Sequence, residues 1–558
     1  MNTRKEKKQK FGTDLCTTDM TFQDCELAIL RQAVDDTEMI NQKKTANSPE
    51  VSKMIKIVEK FLKDKGCICY GGTAINNILP KESQFYNREI EIPDYDFFSP
   101  TPLSHAKELA DIYFNAGYTD VEAKSGVHAG TFKVFVNFIP MADITELHPD
   151  IFNNISKEAI VKQGIKYCPA NFLRMNMFLE LSRPEGDVSR WEKVLKRLTL
   201  LNNHYPLHNK HCYLVDFQRT MNSMDSMYDS ERLYYLTRDH FIDEKAVFFG
   251  GYASSLYTRY MPRVQKRLVR AIPDFDVLHD DPKMCAAKLV KKMTADTFSK
   301  VTIKEHQAIG EIVPFHVEVK VGDDTVCFIY KPMACHSYNE LIIRDKHIRV
   351  ATIDTMLTLY LAFYYADRDY YSHFKERLLC MSQFLFMVEQ RNRLSQHGLL
   401  KRFSIKCYGK QPTLETMRSE KAKKFTELRN KRGTDEYEYW FLKYTPGEKK
   451  SDSILNNTEK TPIVSLKTPN VSLKTPNIKT PTVPQSETQI DTDVDDMKDI
   501  EDVSRGNNSN ISNNGEQLYH SVTMKRFPRK KKHNKYYFRK KNYDTRRRKN
   551  SRSNNKMY

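Results

Sequence analysis

Between Ser48 and Gly66 the apolar residues fall at Val51, Met54, Ile55, Val58, Phe61 and Leu62, a single stripe at helical spacing. Ser48 is a natural N-cap, Pro49 suits the first helical position, and Gly66 supplies the left-handed stop. Cys67 to Tyr70 then reads as a short buried strand that delivers Gly71-Gly72 at its end, and Thr73 to Leu79 as a helix broken by Pro80. From Ile92 to Phe98 the pattern changes to a strand, in which successive residues alternate faces. Asp94 and Asp96 are thus expected on one face, with Tyr95 and Phe97 on the other. Thr131 to Ile139, rich in Val and Phe, is expected as a third strand leading into Met141-Ala-Asp143-Ile144, with helices over Asn171–Leu181 and Arg190–Leu201.

The pattern then repeats. Tyr70-Gly-Gly-Thr-Ala and Ile92-Pro-Asp-Tyr-Asp are echoed by Phe249-Gly-Gly-Tyr-Ala and Ile272-Pro-Asp-Phe-Asp. Pro140-Met-Ala-Asp143 is answered by Pro332-Met-Ala-Cys335, and Ile165-Lys-Tyr with Phe172-Leu-Arg-Met by Ile348-Arg-Val with Met356-Leu-Thr-Leu. Blocks in the same order, about 180–190 residues apart, are the signature of a duplication. Helices over Thr352–Ala366 and Tyr370–Gln390 close the second copy as their counterparts close the first. The expected organisation is an α/β (α+β) chain: an N-terminal helical extension over 1–45, a first copy over 46–215, a second over 216–446, and a tail over 447–558.

Composition changes the picture mainly in that tail. The 558 residues are 40% hydrophobic and 11% aromatic, ample for packed cores, and the formal net charge is +18. From Met524 to Tyr558, 16 Lys and Arg face the single acid Asp544, so the tail end carries nearly all the excess. Tyr536, Tyr537, Phe538 and Tyr543 interleave with these cations in a manner suited to base stacking. Thr461 to Pro484 repeats Lys-Thr-Pro units, Glu487 to Asp502 is acidic, and Asn/Ser-rich sequence follows. Such composition buries too little apolar area to offset ordering entropy, so the tail is expected to be disordered. The basic N-terminus has no apolar stretch behind it, and the longest apolar run, Met356 to Tyr365, is about half a membrane span. The 11 cysteines lack a framework spacing and are expected as reduced thiols.

Chemistry concentrates in the first copy. Two carboxylates at alternate strand positions, with a third on a neighbouring strand, suit divalent ions that prefer oxygen ligands and promote in-line phosphoryl transfer. Asp94, Asp96 and Asp143 form that set, while Gly71, Gly72 and Thr73 at a helix start suit close approach of a triphosphate. Alone, an Asp-x-Asp or a Gly-Gly is uninformative; their order along one copy carries the reading.

These motifs, Tyr70-Gly-Gly-Thr-Ala-Ile-Asn-Asn, Asp94-Tyr-Asp-Phe-Phe and Met141-Ala-Asp-Ile, resemble the DNA polymerase β-like nucleotidyltransferase superfamily. More closely, Met20 to Tyr444 is similar to the poly(A) polymerase catalytic subunits of large cytoplasmic DNA viruses, mimivirus-type above all. The resemblance implies two tandem nucleotidyltransferase-like domains, the second degenerate. It implies ATP as donor and substrate, an RNA 3′ end as acceptor, Mg²⁺ or Mn²⁺ at Asp94, Asp96 and Asp143, and mRNA polyadenylation. It also implies a homodimer, and an intracellular location in host cytoplasm or viral factory with packaging in the virion. Gly72 to Asp94 is longer than the superfamily's usual spacing, so a loop over Lys81 to Arg88 is expected. Two other readings stay open: a different terminal RNA nucleotidyltransferase, and a non-catalytic RNA-binding protein.

In the second copy Asp274 and Asp276 persist, but alignment of the Pro-Met-Ala blocks puts Cys335 where Asp143 stands, and a thiol is a poor ligand for a hard cation. His204, His208, His211 and Cys212 cluster without a zinc-site spacing and are read as a surface turn. Cys67 and Cys69 are read as core, and Tyr228 to Tyr235 as an inter-domain helix. Lys133, Lys166, Arg174, Lys196 and Arg197 are candidate phosphate contacts.

Overall fold

The structure, a computed structural model, describes residues 13–447 other than 18, 88, 210, 213–214, 216, 218–226, 261–272, 369–374 and 393. The tail over 448–558, and with it the expectations for its basic and acidic stretches, lies outside the described residues.

Helix α1 (Phe22–Ala46) opens on a capping box in which Thr21 and Asp24 satisfy each other's backbone N–H groups. In α2 (Pro49–Lys65) the Ser48 hydroxyl accepts the Glu50 N–H at 3.3 Å and Gly66 stops the helix at φ +63°, as the sequence predicts. Then come β1 (Ile68–Cys69), α3 (Gly71–Ile78), β2 (Tyr95–Ser99), α4 (Pro102–Asn115), β3 (Val121–Ser125), β4 (Thr131–Val136) and β5 (Ile139–Glu146). The single strand expected over Thr131–Ile139 is corrected: Asn137 and Phe138 take φ +48° and +64°, turning the chain so that β4 and β5 run antiparallel. A two-residue turn with both φ positive matches strand twist. Without a glycine, it leaves no mark in the apolar pattern. The first copy finishes with α5 (Pro149–Lys157), β6 (Ile160–Lys162), β7 (Ile165–Tyr167), α6 (Ala170–Leu181) and α7 (Trp191–His204).

The second half runs α8 (Met227–Asp243), β8 (Val247–Phe249), α9 (Gly250–Leu256), β9 (Phe275–Leu278), α10 (Pro282–Ala295), β10 (Val301–His306), β11 (His316–Val321) and β12 (Asp324–Tyr330). It continues with β13 (His336–Ile343), β14 (Lys346–Ala351), α11 (Ile353–Ala366), α12 (Lys375–Arg391), β15 (Cys407–Tyr408), α13 (Leu414–Leu428), α14 (Asp435–Phe441) and β16 (Lys443–Tyr444).

The two sheets have the same wiring. One is ordered β16-β3-β4-β5-β2-β1-β7-β6, the other β10-β11-β12-β9-β8-β14-β13-β15, and corresponding neighbours share the same parallel or antiparallel sense. On the first sheet, Tyr95, Phe97, Val134, Ala142 and Ile144 make the buried face. Phe61 of α2 meets Phe97 there at 6.3 Å, and the Tyr95 hydroxyl donates to Glu59 of the same helix at 2.6 Å. Asp96 and Asp143, at the alternate positions, therefore stand on the opposite face. The two halves are joined through α6 and α11. Most of α6 and nearly all of α11 are buried, as expected of helices with large apolar surface. They pack together, with Phe172 edge-on to Tyr365 at 5.3 Å. The last described elements return to the first copy: β16 pairs with β3, and the Tyr439 hydroxyl of α14 donates to Glu146 at 2.6 Å.

The expectation that all cysteines are free is corrected for six. Cys16–Cys25, Cys212–Cys380 and Cys335–Cys407 are disulfides, with Cα–Cα separations of 5.1, 5.2 and 5.2 Å. Two of the pairs join residues 168 and 72 positions apart, a proximity that only folding creates. Cys67, Cys69, Cys168, Cys285 and Cys327 are buried free thiols.

Candidate active site

Strand β1 leads into Tyr70, whose N–H donates to the Asp96 carbonyl at 2.9 Å, and the chain turns at once into α3. That turn needs glycine. Gly71 has φ +70°, and a Cβ there would fall on Oδ2 of Asp96. At Gly72 a Cβ would meet the Tyr86 hydroxyl and, at 2.9 Å, Nη1 of Arg197. Thr73 is buried, and its hydroxyl donates to the Asp94 carbonyl at 2.6 Å, tying the start of α3 to the loop that carries Asp94.

Asp96 lies on β2 directly opposite Asp143 on the parallel neighbour β5. Asp94, one residue before the strand, is exposed. Lys133 on β4 faces Asp143 in turn, with Nζ 3.4 Å from Oδ2. Burial, then the charges of Asp94 and Asp143, push the Asp96 carboxyl up to about 8. Asp94 and Asp143 are raised too, both chiefly by desolvation; the Asp143 charge adds to this at Asp94, while Lys133 opposes it at Asp143. Three acids, two of them half-buried, with one lysine beside them are deficient in positive charge, which is the environment a divalent cation complements. The expected metal ligands Asp94, Asp96 and Asp143 do not bring their ligand atoms within 4.8 Å of one another; among the described residues Glu185, Cys335 and Cys407 do, but those two cysteines are disulfide-bonded.

A cavity of about 550 Å³ opens beside Asp94, lined by Thr73, Asn76, Tyr86 and Glu91 and walled by Asn41, Gln42 and Thr45 of α1. The structure separates the five candidate phosphate contacts. Arg174 is fully buried, with Nε on Asn202 at 2.8 Å, and Lys166 reaches Ser156 at 3.1 Å. Lys196 is paired on the surface with Glu192 at 2.6 Å. Of the five, Arg197 is the one that stands at Gly72, stacked over Phe85 and Tyr86 at 4.9 and 5.4 Å and hydrogen-bonded to the Tyr86 hydroxyl at 2.6 Å. The part played by Phe85 and Tyr86 had no sequence signal beyond two aromatics in a polar loop.

The equivalent place in the second copy is closed. Gly250 has φ +66° and again abuts an acid, Asp276, but Asp274 and Asp276 are only 5% and 9% exposed. The cavity beside them is about 40 Å³, filled by Phe249, Phe328, Tyr330, Tyr360 and Phe363. The residue opposite Asp276 is Phe328, so the matching of Cys335 to Asp143 is corrected. Cys335 lies beyond β12, and the Pro-Met-Ala likeness does not follow the strand register. The His204 cluster holds no metal-like group among the described residues: His204 bonds Ser83 at 2.8 Å, and Cys212 is in a disulfide.

A sheet of this order with a Gly-Gly turn opening a helix beneath it is present here twice, and the first copy alone adds acids facing one another on adjacent parallel strands, the arrangement of a nucleotidyltransferase-like fold. Residues 56–187 match the family described as poly(A) polymerase catalytic subunit. A putative poly(A) polymerase catalytic subunit of African swine fever virus (strain Badajoz 1971 Vero-adapted) is 32% identical over 180 residues, 31% of this chain and 38% of that protein. Its counterpart from Acanthamoeba polyphaga mimivirus is 24% identical over 308 residues, 50% of this chain and 51% of that one. The chain therefore spans about two fifths to one half of the curated relatives it matches. The crystal structure of the Megavirus polyadenylate synthase superposes with a TM-score of 0.62 over 79% of this chain and 88% of that one, at 19% identity, a likeness of fold.

Proposed function

We propose that this chain is a template-independent poly(A) polymerase that transfers AMP from ATP to RNA 3′ ends, with 46–215 as its catalytic domain and 216–446 as a degenerate copy. The observation that carries the reading is the contrast between the copies. In one copy the fold holds two opposed acids, Asp96 and Asp143, with an open cavity of about 550 Å³ at Asp94; in the other it holds an acid opposed by phenylalanine, with only about 40 Å³ of space among aromatic side chains. Asp94, Asp96 and Asp143 would hold Mg²⁺ or Mn²⁺; the bound ions would supply activation of the attacking 3′-hydroxyl and stabilisation of charge on the pyrophosphate leaving group. Gly71 and Gly72 begin α3, whose first backbone N–H groups would receive the triphosphate, and Arg197 presents a cation at Gly72. Thr73 holds the Asp94 loop against α3, and Lys133 orients Asp143. The homodimer, the host-cytoplasm or viral-factory location and the packaging in the virion rest on the likeness to viral enzymes. No helix among the described residues is long and apolar enough to cross a membrane.

The test is to offer each nucleoside triphosphate separately, with Mg²⁺, to a short RNA. Extension with ATP alone is the expected result, lost in Asp143→Ala and in the Asp94→Ala, Asp96→Ala double variant with the fold retained. Extension with UTP or CTP instead would replace adenylation by another terminal transfer. Binding of RNA without extension would make the protein a non-catalytic binder.

A further inference from the structure

Residues directly paired across a sheet point to the same face. On the first sheet the register places Asp96 opposite Asp143, Asp143 opposite Lys133, Lys133 opposite Lys124, and Lys124 opposite Lys443. These five residues form one row across the face that α2 does not cover. It starts at the acids and ends at the sheet edge, with three consecutive lysines whose strands step about 4.8 Å apart. Their side chains are accessible: Lys124 and Lys133 are 22% and 34% exposed, and Lys443 is exposed. Like charges set side by side are destabilising in a sheet. The acids offset only part of this, Glu122 lying 3.9 Å from Lys124 and Asp143 beside Lys133, while Lys443 forms no ion pair among the described residues. Half-buried Phe135 lies under Lys124, at 4.6 Å, and adds an aromatic surface to the row.

The second copy shows that the fold does not require this row. There the matching positions read Asp276, Phe328, Glu318 and Lys304, and among the described residues the sheet ends at β10 with no strand corresponding to β16. The acid Glu318 stands where the first copy has Lys133, and no described residue of the second copy matches the third lysine. Lys443 reaches its place only because the chain returns past both copies to add one more strand to the first.

We infer that the row Lys133–Lys124–Lys443 is the track along which the phosphates of the single-stranded RNA acceptor run, bringing its 3′ end to Asp96 and Asp143. The row spans a few nucleotides and offers a line of cations without groups placed to read base edges, so it holds RNA of any sequence by its backbone. This rests on the proposed activity, since it assigns the acceptor side of the same site.

The experiment uses the full chain and a short oligoadenylate in the extension assay, with KM for RNA and for ATP measured at several salt concentrations. Lys124→Gln with Lys443→Gln is compared with wild type, with Lys124→Arg plus Lys443→Arg, and with Lys304→Gln in the second copy. The glutamine pair is expected to raise KM for RNA about tenfold or more, leaving KM for ATP unchanged. The slope of log affinity against log salt should be shallower by about 1.4, or about 0.7 for each phosphate no longer neutralised. The basic tail contributes equally to every variant and drops out of these differences. The arginine pair should behave as wild type, and Lys304→Gln should have no effect. An unchanged KM for RNA and unchanged salt slope, an effect on ATP instead, or an equal effect from Lys304→Gln overturns the track. If wild type extends no RNA, the proposed activity fails first; oligoadenylate binding by the same variants, read through the same salt slopes, then decides the track alone.

Discussion

Gly71→Ala separates the contribution of the acids from that of the backbone, because the chain contains its own control. Alanine at φ +70° costs about 1–2 kcal/mol of backbone strain. Its Cβ would also fall on Oδ2 of Asp96, with Cγ at 3.1 Å and Cβ at 3.3 Å, so the carboxylate must swing away. A displacement of about 1 Å in a reacting group costs on the order of 100-fold in rate. Gly250→Ala imposes the same kind of strain at φ +66°, with Cγ and Cβ of Asp276 at 2.6 and 2.7 Å from the new methyl. Both variants should lose at least about 1–2 kcal/mol in urea denaturation, Gly250→Ala the more. AMP incorporation into RNA should fall about 100-fold in Gly71→Ala and remain near wild type in Gly250→Ala at a temperature where both are folded. Equal loss of tailing in the two variants would refute the assignment of chemistry to the first copy. Full activity in Gly71→Ala would refute the close placement of α3 against Asp96.

Other outcomes follow from individual side chains. Arg197→Ala should raise KM for ATP about tenfold or more with little change in RNA binding, since its guanidinium stands at Gly72; an effect confined to RNA would remove it from the triphosphate side. Arg402 pairs with Asp354 at 2.6 Å and Glu389 at 2.9 Å, both acids buried, so Arg402→Ala should destabilise by about 3–5 kcal/mol in chemical denaturation, whereas a change under about 1 kcal/mol would show the cluster to be solvated. Burial, with Arg183 beside it, pushes His336 down to about 3, so the folded protein needs it neutral while the unfolded chain takes up a proton below about 6.5. Its contribution is intact above that pH and is lost as the pH falls towards 3. Wild type should therefore lose about 1.4 kcal/mol per pH unit relative to His336→Gln between about pH 6 and 4, and parallel stability curves would contradict the burial.

Much was determined by the sequence itself. The stripe, cap and stop of α2, the Gly-Gly at the head of α3, Asp96 on β2 and the duplication all rest on interactions within a turn of helix or a few strand residues, which the local order of side chains dictates, whereas Asp94, expected on the same strand face, lies in the loop one residue before β2. What the sequence could not decide were neighbours across strands. Phe328 rather than Cys335 opposes Asp276 because strand register, not resemblance of blocks, sets that pairing. The turn at Asn137–Phe138 hid inside an apolar run, and the disulfides join positions whose spacing has no pattern. Lys443 meets Lys124 from a distant part of the chain, and the plug of aromatics in the second copy comes from β8, β12 and α11 together. Such neighbours depend on how whole sheets and helices bury their apolar faces against each other, so only the tertiary structure decided which acids are open, which are sealed, and where the lysines line up.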